Sequence, residues 1–459
     1  MAGKGNVCSY TIADGGKRMK RPNVVLLISH DTGRFYEPYG IGTVSQPNFM
    51  RLAGMAVTFD GAYCVTPLCS PARSSIVTGR YPHQNGVNGL PGDTLGRWEM
   101  VERDRHLASV LGKAGYRTVL CGGYAHELSR PLESGFDFQI NDFSVNKTDT
   151  VKDAGPAIGA WLDANPKAGS EEPLYMQVVC AETHRDWDRL TDAYDAKGVW
   201  KAPYLIDDPE VDRDMAYMQG SANDLDAGLG GVIGAFEARG LAHGTIFAVT
   251  TDHGLDFPRA KGTLFDPGVE VGLFMRYDAG GWAAGGRCGS LVSHLDVYPT
   301  LLEACGVPVP EGTEGISLLG HLKDPKGAAP IRDAVFLEKT YHDNYDPMRG
   351  IRTGSHKYVL NFDAQTLYDV RVATAPKYGW FRFPFIKSER EELYDLARDP
   401  DEAHNLAKDP GYAEMRDGLR LRLARWMRET GDPLLFGPMP SPYHLRVCGE
   451  MRALAGSEE

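Results

Sequence analysis

The chain alternates between fully apolar runs and segments with a helical apolar period, and that alternation predicts its elements. "PNVVLLIS" (residues 22–29) is a continuous β-branched and leucine run that ends in the polar cluster "HDTG". A strand buried on both faces reads this way, so it is predicted as a central strand of a parallel sheet. "HLASVLGKAGYRTVLCGG" (106–123) reads as helix, glycine stop and strand, and "YMQVVCAETH" (175–184) as a further buried strand with its polar residues at the C-terminal end. Between residues 224 and 236, Leu225, Leu229, Val232, Ile233 and Phe236 recur with helical spacing, and a strand follows over Thr245–Thr251. The glycines of that helix neither complete a GxGxxG nor follow a strand, so they read as packing glycines and not as a dinucleotide site.

"VSHLDVYPTLLEACGVPVP" (292–310) reads as a helix closed by Gly306 and prolines, and "LKDPKGAAPIRD" (322–333) is a polar stretch that marks a boundary. Beyond it, strand-like runs such as "DAVFLEK" and "HKYVLNF" alternate with turns before one amphipathic helix, "AEMRDGLRLRLARWMRETG". The expected fold is α/β, a large, mostly parallel sheet sandwiched by helices, followed by a smaller C-terminal α+β domain. The expected map is an N-terminal extension over 1–20, the large catalytic domain over 21–328, the C-terminal subdomain over 329–440 and a tail over 441–459.

Composition narrows the class. With 459 residues, 42% hydrophobic and 24% charged, the chain is long enough to bury a sizeable core and reads as globular. No apolar run has the length of a bilayer span, and the first 23 residues hold no signal-like apolar stretch, so a cytoplasmic location without membrane attachment is expected. The eight cysteines (8, 64, 69, 121, 180, 288, 305 and 448) lack paired spacing, which suits reduced thiols. A net charge of -12 argues against nucleic acid as a partner. An anionic substrate therefore requires a locally basic pocket.

Chemistry concentrates where strands end. Ligands of open α/β sheets bind at the carboxyl ends of the strands. Three such ends are chemically loaded: "SHDTG" with His30 and Asp31, "CAETHR" with Glu182 and His184, and "TTDHG" with Asp252 and His253. His30, Asp31, Asp252 and His253 together offer the oxygens and nitrogens of a mononuclear metal site, or caps and satisfied polar groups at loop starts. In "CSPARSSIVTGR" (69–80), Ser70 reads as an N-cap with Pro71 at the first helical position and Gly79 as the stop. Residue 69 then sits at a helix N-terminus, where free N–H groups and Arg73 stabilise an anion. By itself, that placement leaves a structural thiol, a metal ligand and a nucleophile open for Cys69. Cys64 lies near, but a lone C-x4-C lacks the second pair of a zinc site. Neither a GxSxG elbow nor a P-loop is present, so serine-hydrolase and nucleotide-kinase chemistry have no support.

"CSPAR" followed by "SSIVTGRYPHQNGV" resembles the C-x-P-x-R signature of the type I sulfatases, in the alkaline phosphatase superfamily. "RPNVVLLISHD", "TTDHG", "LVSHLDVYPTLL" and "ELYDLARDPDEAHNLA" accompany it in order. "RYPHQNGVNGL", "DHGLDFPRAKGTLFDPG" and "YHDNYDPMRGIRT" are most similar to the branch that contains the heparan N-sulfatases (sulfamidases) and bacterial relatives. The resemblance implies an alkaline-phosphatase-like fold and a sulfuric ester hydrolase that releases sulfate from a small sulfated sugar, as an O-sulfate or a glucosamine N-sulfate. It implies that a maturation enzyme oxidises Cys69 to Cα-formylglycine. It further implies that Arg73 holds that group, that His126 and His184 contact the diol and the sulfate, and that Lys261 touches the sulfate and the leaving oxygen. His184 or Lys261 is then the general acid. By position, His30, Asp31, Asp252 and His253 would hold one divalent cation, with calcium the expected ion and magnesium or manganese the alternatives. His342, Asp343, Tyr345 and Arg349 are expected in a C-terminal loop that closes over the pocket and reads the leaving group. Two departures stand out: His30 precedes Asp31 where many members have two aspartates, and "GGYAH" (122–126) replaces "GKxH", removing one sulfate-binding lysine. The alternatives are a phosphonate monoester or phosphodiester hydrolase of the same superfamily and a catalytically silent binding protein.

Overall fold

The computed structural model describes residues 21–91, 98–122, 126–140, 150–189, 191–341, 345–363 and 389–456. Eight strands form the large sheet: β1 (Asn23–Ser29), β2 (Val57–Tyr63), β3 (Arg117–Cys121), β4 (Phe138–Ile140), β5 (Leu174–Val179), β6 (Thr245–Thr251), β7 (Leu273–Arg276) and β8 (Arg287–Ser293). Their order is β4-β3-β5-β1-β6-β7-β2-β8, and every pairing is parallel except those of β7. β1 lies in the middle, as its unbroken apolar run predicts. Val24, Leu26 and Ile28 pack into the core on one face, and Val25 and Leu27 into the core on the other. Each is buried, and each contributes roughly 1.5–3 kcal/mol by leaving water.

Helices cover both faces. Leu107–Lys113, Cys69–Thr78 and Val297–Ala304 contribute to the first core, and Pro47–Met55, Ala154–Ala164 and Pro209–Glu237 to the second. The last of these is 29 residues long, about twice the predicted span, because it begins at Pro209 under a cap in which Asp208 accepts from the Glu210 N–H. Its first turns mix charged residues with a continued apolar period, burying Val211, Met215, Met218 and Ala222 in a smaller core beside Phe35, Trp187 and Tyr204. Gly115 (φ +91°) and Gly306 (φ +63°) take left-handed conformations after their helices, as expected of stop glycines.

A second, antiparallel sheet runs β12-β11-β10-β9, built from β9 (Ala334–Tyr341), β10 (Tyr345–Thr353), β11 (His356–Asn361) and β12 (Glu391–Asp395). The amphipathic helix Ala413–Glu429 buries Leu419, Leu423, Trp426 and Met427 on this sheet, beside Ile351, Tyr358 and Leu393. The same core takes in Val65, Tyr81 and Leu295 of the larger unit, so the two sheets share a packed seam. The C-terminal segment forms a further helix, Pro442–Gly456, with Tyr443, Met451 and Leu454 exposed. Among the described residues, no helix is long and apolar enough to cross a membrane and no cysteines are paired.

Candidate active site

Register brings the loaded strand ends together. Ile28 of β1 pairs with Val179 of β5, and Ser29 pairs with Thr251 of β6, so the three strands release their polar residues at one level of the sheet. The site forms there from His30 and Asp31, His184, Asp252 and His253, closed by Cys69, Arg73, His126 and Lys261. All but His184 are buried.

Cys69 is the first residue of its helix. The cap is Leu68, not Ser70: the Ala72 N–H already donates to the Leu68 carbonyl (2.9 Å), so the first turn closes two residues earlier than the Ser-Pro pair suggests. Ser70 Oγ is buried without a hydrogen bond and Pro71 is the third helical residue. The consequence for residue 69 is unchanged, since it lies among the free N–H groups of a ten-residue helix.

Asp252 is the electrostatic hub. Its Oδ1 accepts from the backbone N–H groups of Asp31 (2.9 Å) and His253 (2.8 Å), and its Oδ2 accepts from Arg73 Nε (3.0 Å) and lies 3.1 Å from His30 Nδ1. Burial alone would raise this carboxyl, but His253, Arg73 and His30 outweigh it and hold it well below the usual range. Arg73 also donates to the Ser29 carbonyl (2.8 Å), which fixes the helix to the end of β1.

His253 links metal-type donors to residue 69. Its Nε2 lies 3.3 Å from Cys69 Sγ and 3.2 Å from Asp31 Oδ1, and its Nδ1–H donates to the Gly254 carbonyl (3.0 Å). Burial opposes a charge on this ring, yet Asp252, Cys69 and Asp31 raise it to about 9. Burial likewise opposes ionisation of Cys69, but Lys261 and His253 overcome it and the thiol lies well below its ordinary value. Cys64, five residues earlier, is pushed the other way by burial, with Asp252 adding to it. Of these two, Cys69 is the one in an anion-stabilising place.

Lys261 Nζ donates to Asp31 Oδ2 at 2.6 Å and lies 3.6 Å from Asp256 Oδ2. His126 (φ +60°) packs edge-on against His30 with ring centroids 4.4 Å apart, and His184 lies 5.3 Å from His30 in the same sense. Burial lowers both histidines, His126 well below its normal value with help from the charges of His30 and Arg73, and His184 to about 4 with help from Lys261. The His184 Nδ1–H donates to the Arg185 carbonyl. Glu182, from the same strand end, turns away: its carboxylate accepts from the Val151 N–H (3.1 Å) and only its carbonyl meets the site, at the His30 N–H (3.1 Å).

The donor set fits a divalent cation. Ligand atoms of His30, Asp31, Asp252 and Cys69 all lie within 4.8 Å of one another, and Asp31 Oδ1 is buried without a hydrogen bond. His253 Nε2 stands beside that oxygen.

The C-terminal residues divide differently. His342 and Asp343 lie outside the described residues. Tyr345 opens β10, where its ring meets Tyr341 (centroids 4.9 Å apart) and its hydroxyl accepts from the Met439 N–H (3.2 Å). Arg349 is not a loop residue that reads a leaving group. It lies inside β10, fully buried, donating to both oxygens of Asp432 (2.5 and 3.1 Å) and to the carbonyls of Lys339 (2.8 Å) and Met348 (3.0 Å). With Nε and both Nη atoms bonded inside the protein and the side chain fully buried, the guanidinium is not presented to a ligand. One residue that the motifs did not single out also belongs to the site, Asp256 beside Lys261, signalled only by its place in the same loop; Lys339, which no local pattern marks, lies behind it and bonds the Gly262 carbonyl.

A sulfatase family model matches residues 22–307. The chain belongs to the sulfatase family. The model described as N-sulphoglucosamine sulphohydrolase, C-terminal, matches residues 257–429 of this sulfatase. It is 27% identical over 480 residues to human N-sulphoglucosamine sulphohydrolase, covering 94% of this chain and 95% of that one. A Formosa agariphila ulvan-active sulfatase is 26% identical, covering 91% and 76%. Among solved structures, a protein in complex with its substrate D-glucosamine-2-N,6-O-disulfate superposes with a TM-score of 0.70 at 19% identity, over 90% of this chain and 99% of that one. The phosphonate monoester hydrolase of Agrobacterium radiobacter shares the fold as well, with a TM-score of 0.67 at 21% identity over 89% and 96%. The sulfatase fold and sulfatase hydrolase class are thereby given for this chain.

Proposed function

We propose that this sulfatase releases inorganic sulfate from a small sulfated sugar, an O-sulfate or a glucosamine N-sulfate, with residue 69 as the source of the nucleophile. The observation that carries the reading is the placement of Cys69: a helix-terminal, buried side chain 3.3 Å from His253, facing the charge of Lys261 and the donor cluster of His30, Asp31 and Asp252. The human relative, an N-sulphoglucosamine sulphohydrolase, and the solved complex with D-glucosamine-2-N,6-O-disulfate support the substrate class.

Matured to Cα-formylglycine, residue 69 would supply a hydrated aldehyde, one hydroxyl to attack sulfur and a second to expel sulfate, a release that a plain cysteine or serine cannot provide. A divalent cation held by His30, Asp31, Asp252 and His253 would acidify the attacking hydroxyl and neutralise sulfuryl oxygens. The two carboxylates suit calcium, magnesium and manganese alike, and the two imidazoles favour manganese among the three, since calcium and magnesium both prefer oxygen ligands.

The chain's own residues set the rest. Arg73 anchors Asp252 and the end of β1, so the donor atoms stay aligned beneath residue 69. His126 and His184, neutral at pH 7, offer hydrogen bonds to the diol and sulfate without adding charge. Burial and the charge of Lys261 lower His184 to about 4, which favours Lys261 over His184 as the group that protonates the departing oxygen. The protein is read as acting in a reducing, cytoplasmic setting after a formylglycine-generating enzyme has acted on it.

Turnover of 4-nitrophenyl sulfate against a 4-nitrophenyl phosphonate monoester, with enzyme coexpressed with a maturation enzyme, tests the reading. Faster sulfate hydrolysis is expected. A clear preference for the phosphorus ester would assign the site to phosphonate chemistry, and no turnover of either would assign it to binding alone.

A further inference from the structure

Lys261 lies in a long loop after β6, yet its backbone is held from three sides. Its own N–H donates to the Leu255 carbonyl (3.0 Å), and the next residue, Gly262 (φ +82°), donates to the Pro67 carbonyl (3.1 Å), two residues before Cys69. The Gly262 carbonyl accepts a third bond from outside the large sheet: Lys339 Nζ of β9, at 2.8 Å. Lys339 is buried at 1% exposure, and Asp346 of β10 neutralises it at 2.6 Å. The neighbouring residue of β9, Glu338, donates its N–H to the Val65 carbonyl (2.7 Å), so one stretch of strand grips both the segment before Cys69 and the segment after Lys261.

A buried ammonium costs several kcal/mol in desolvation, far more than one backbone carbonyl returns. A neutral donor would satisfy Gly262 more cheaply. What the Lys339–Asp346 pair adds is a stiff, charge-assisted tie at the peptide that carries the catalytic lysine.

We propose that Lys339, oriented by Asp346, is a positioning residue for Lys261, fixing the Lys261–Gly262 peptide so that the Lys261 ammonium meets the departing oxygen. The inference rests on the role given to Lys261 under the proposed function. It places part of the catalytic geometry in the C-terminal sheet, which touches no reacting atom.

The test is a double-mutant cycle read on two leaving groups. D-glucosamine-2-N,6-O-disulfate expels poor leaving groups that need Lys261, whereas 4-nitrophenyl sulfate expels a stable phenolate that barely does. Lys339→Met is expected to slow kcat on the disulfate by about 10- to 100-fold, the effect of a misplaced group, and on the aryl sulfate by less than about 3-fold. Lys261→Ala should show the same contrast, and Lys261→Ala/Lys339→Met should be no slower than Lys261→Ala alone. Equal losses on both substrates, or losses that multiply in the double variant, overturn the proposal. Asp346→Asn, a milder change, is judged by the same two criteria should Lys339→Met fail to fold. A contrast missing from Lys261→Ala itself refutes the role of Lys261, with Lys339 untouched, and the inference falls with it. Wild-type enzyme that releases sulfate from neither probe rejects the sulfatase reading before any variant is made.

Discussion

Replacing Arg349 with Met separates a structural role from a substrate-reading one. The side chain is fully buried, and its loss strands Asp432, whose remaining donor is the Leu434 N–H at 3.0 Å. It also frees the carbonyls of Lys339 and Met348 and leaves Glu338, 3.9 Å from Arg349 Nε, without a nearby guanidinium. Breaking one side of a buried ion pair costs about 3–5 kcal/mol. For 459 residues unfolding as a unit, an entropy of about 2.1 cal/mol/K per residue gives about 1 kcal/mol/K, so Tm should fall by about 3–5 °C. Scanning calorimetry reads that shift, and steady-state kinetics on folded protein should return a KM within about twofold of wild type. An unchanged Tm with KM raised tenfold or more would refute the structural assignment and return Arg349 to the substrate.

Metal binding should appear without turnover: manganese at about 100 times its Kd adds about 2.7 kcal/mol, or about 3 °C in Tm. Chelator should reverse the shift and Asp31→Asn should abolish it, whereas no response to manganese, magnesium or calcium would remove the metal from the account. Glu402 gives a pH prediction away from the site. Burial, opposed by Lys357 and reinforced by Asp266, raises its carboxyl to about 7, because Lys357 is shared between the two acids at 2.7 and 2.6 Å. Between about pH 4.5 and 7 the folded chain then holds a proton that the unfolded chain has released, so this group's contribution falls as pH rises through that window. Urea midpoints at pH 5 and pH 8 should show a flatter dependence in Glu402→Gln than in wild type, and parallel dependences would contradict the assignment.

The catalytic strands were legible because β1, β5 and β6 are buried on both faces, which forces unbroken apolar runs, and because their polar residues collect at the same end. The order of the family motifs then told which of those residues belong together. What could not be read depends on partners distant in sequence. Arg349 stands in a polar, aromatic stretch that looks like a loop, and its partner Asp432 lies 83 residues away. Lys339 resembles any strand lysine until folding sets it against Gly262, 77 residues earlier. The helix cap failed for a local reason: Ser-Pro is a strong start signal, but the Leu68 carbonyl had already closed the turn. The first half of Pro209–Glu237 was not read although Val211, Met215 and Met218 continue the period of Leu225 and Leu229; the charged residues between them, Asp212, Arg213 and Asp214, fill the solvent side and hide it in a composition-led reading.

The most direct test of the central claim is sulfate release from D-glucosamine-2-N,6-O-disulfate, followed by ion chromatography, for wild-type enzyme and Cys69→Ala made side by side with a maturation enzyme. The account predicts steady release by wild type and none above background by the variant. Release by Cys69→Ala at the wild-type rate would contradict it.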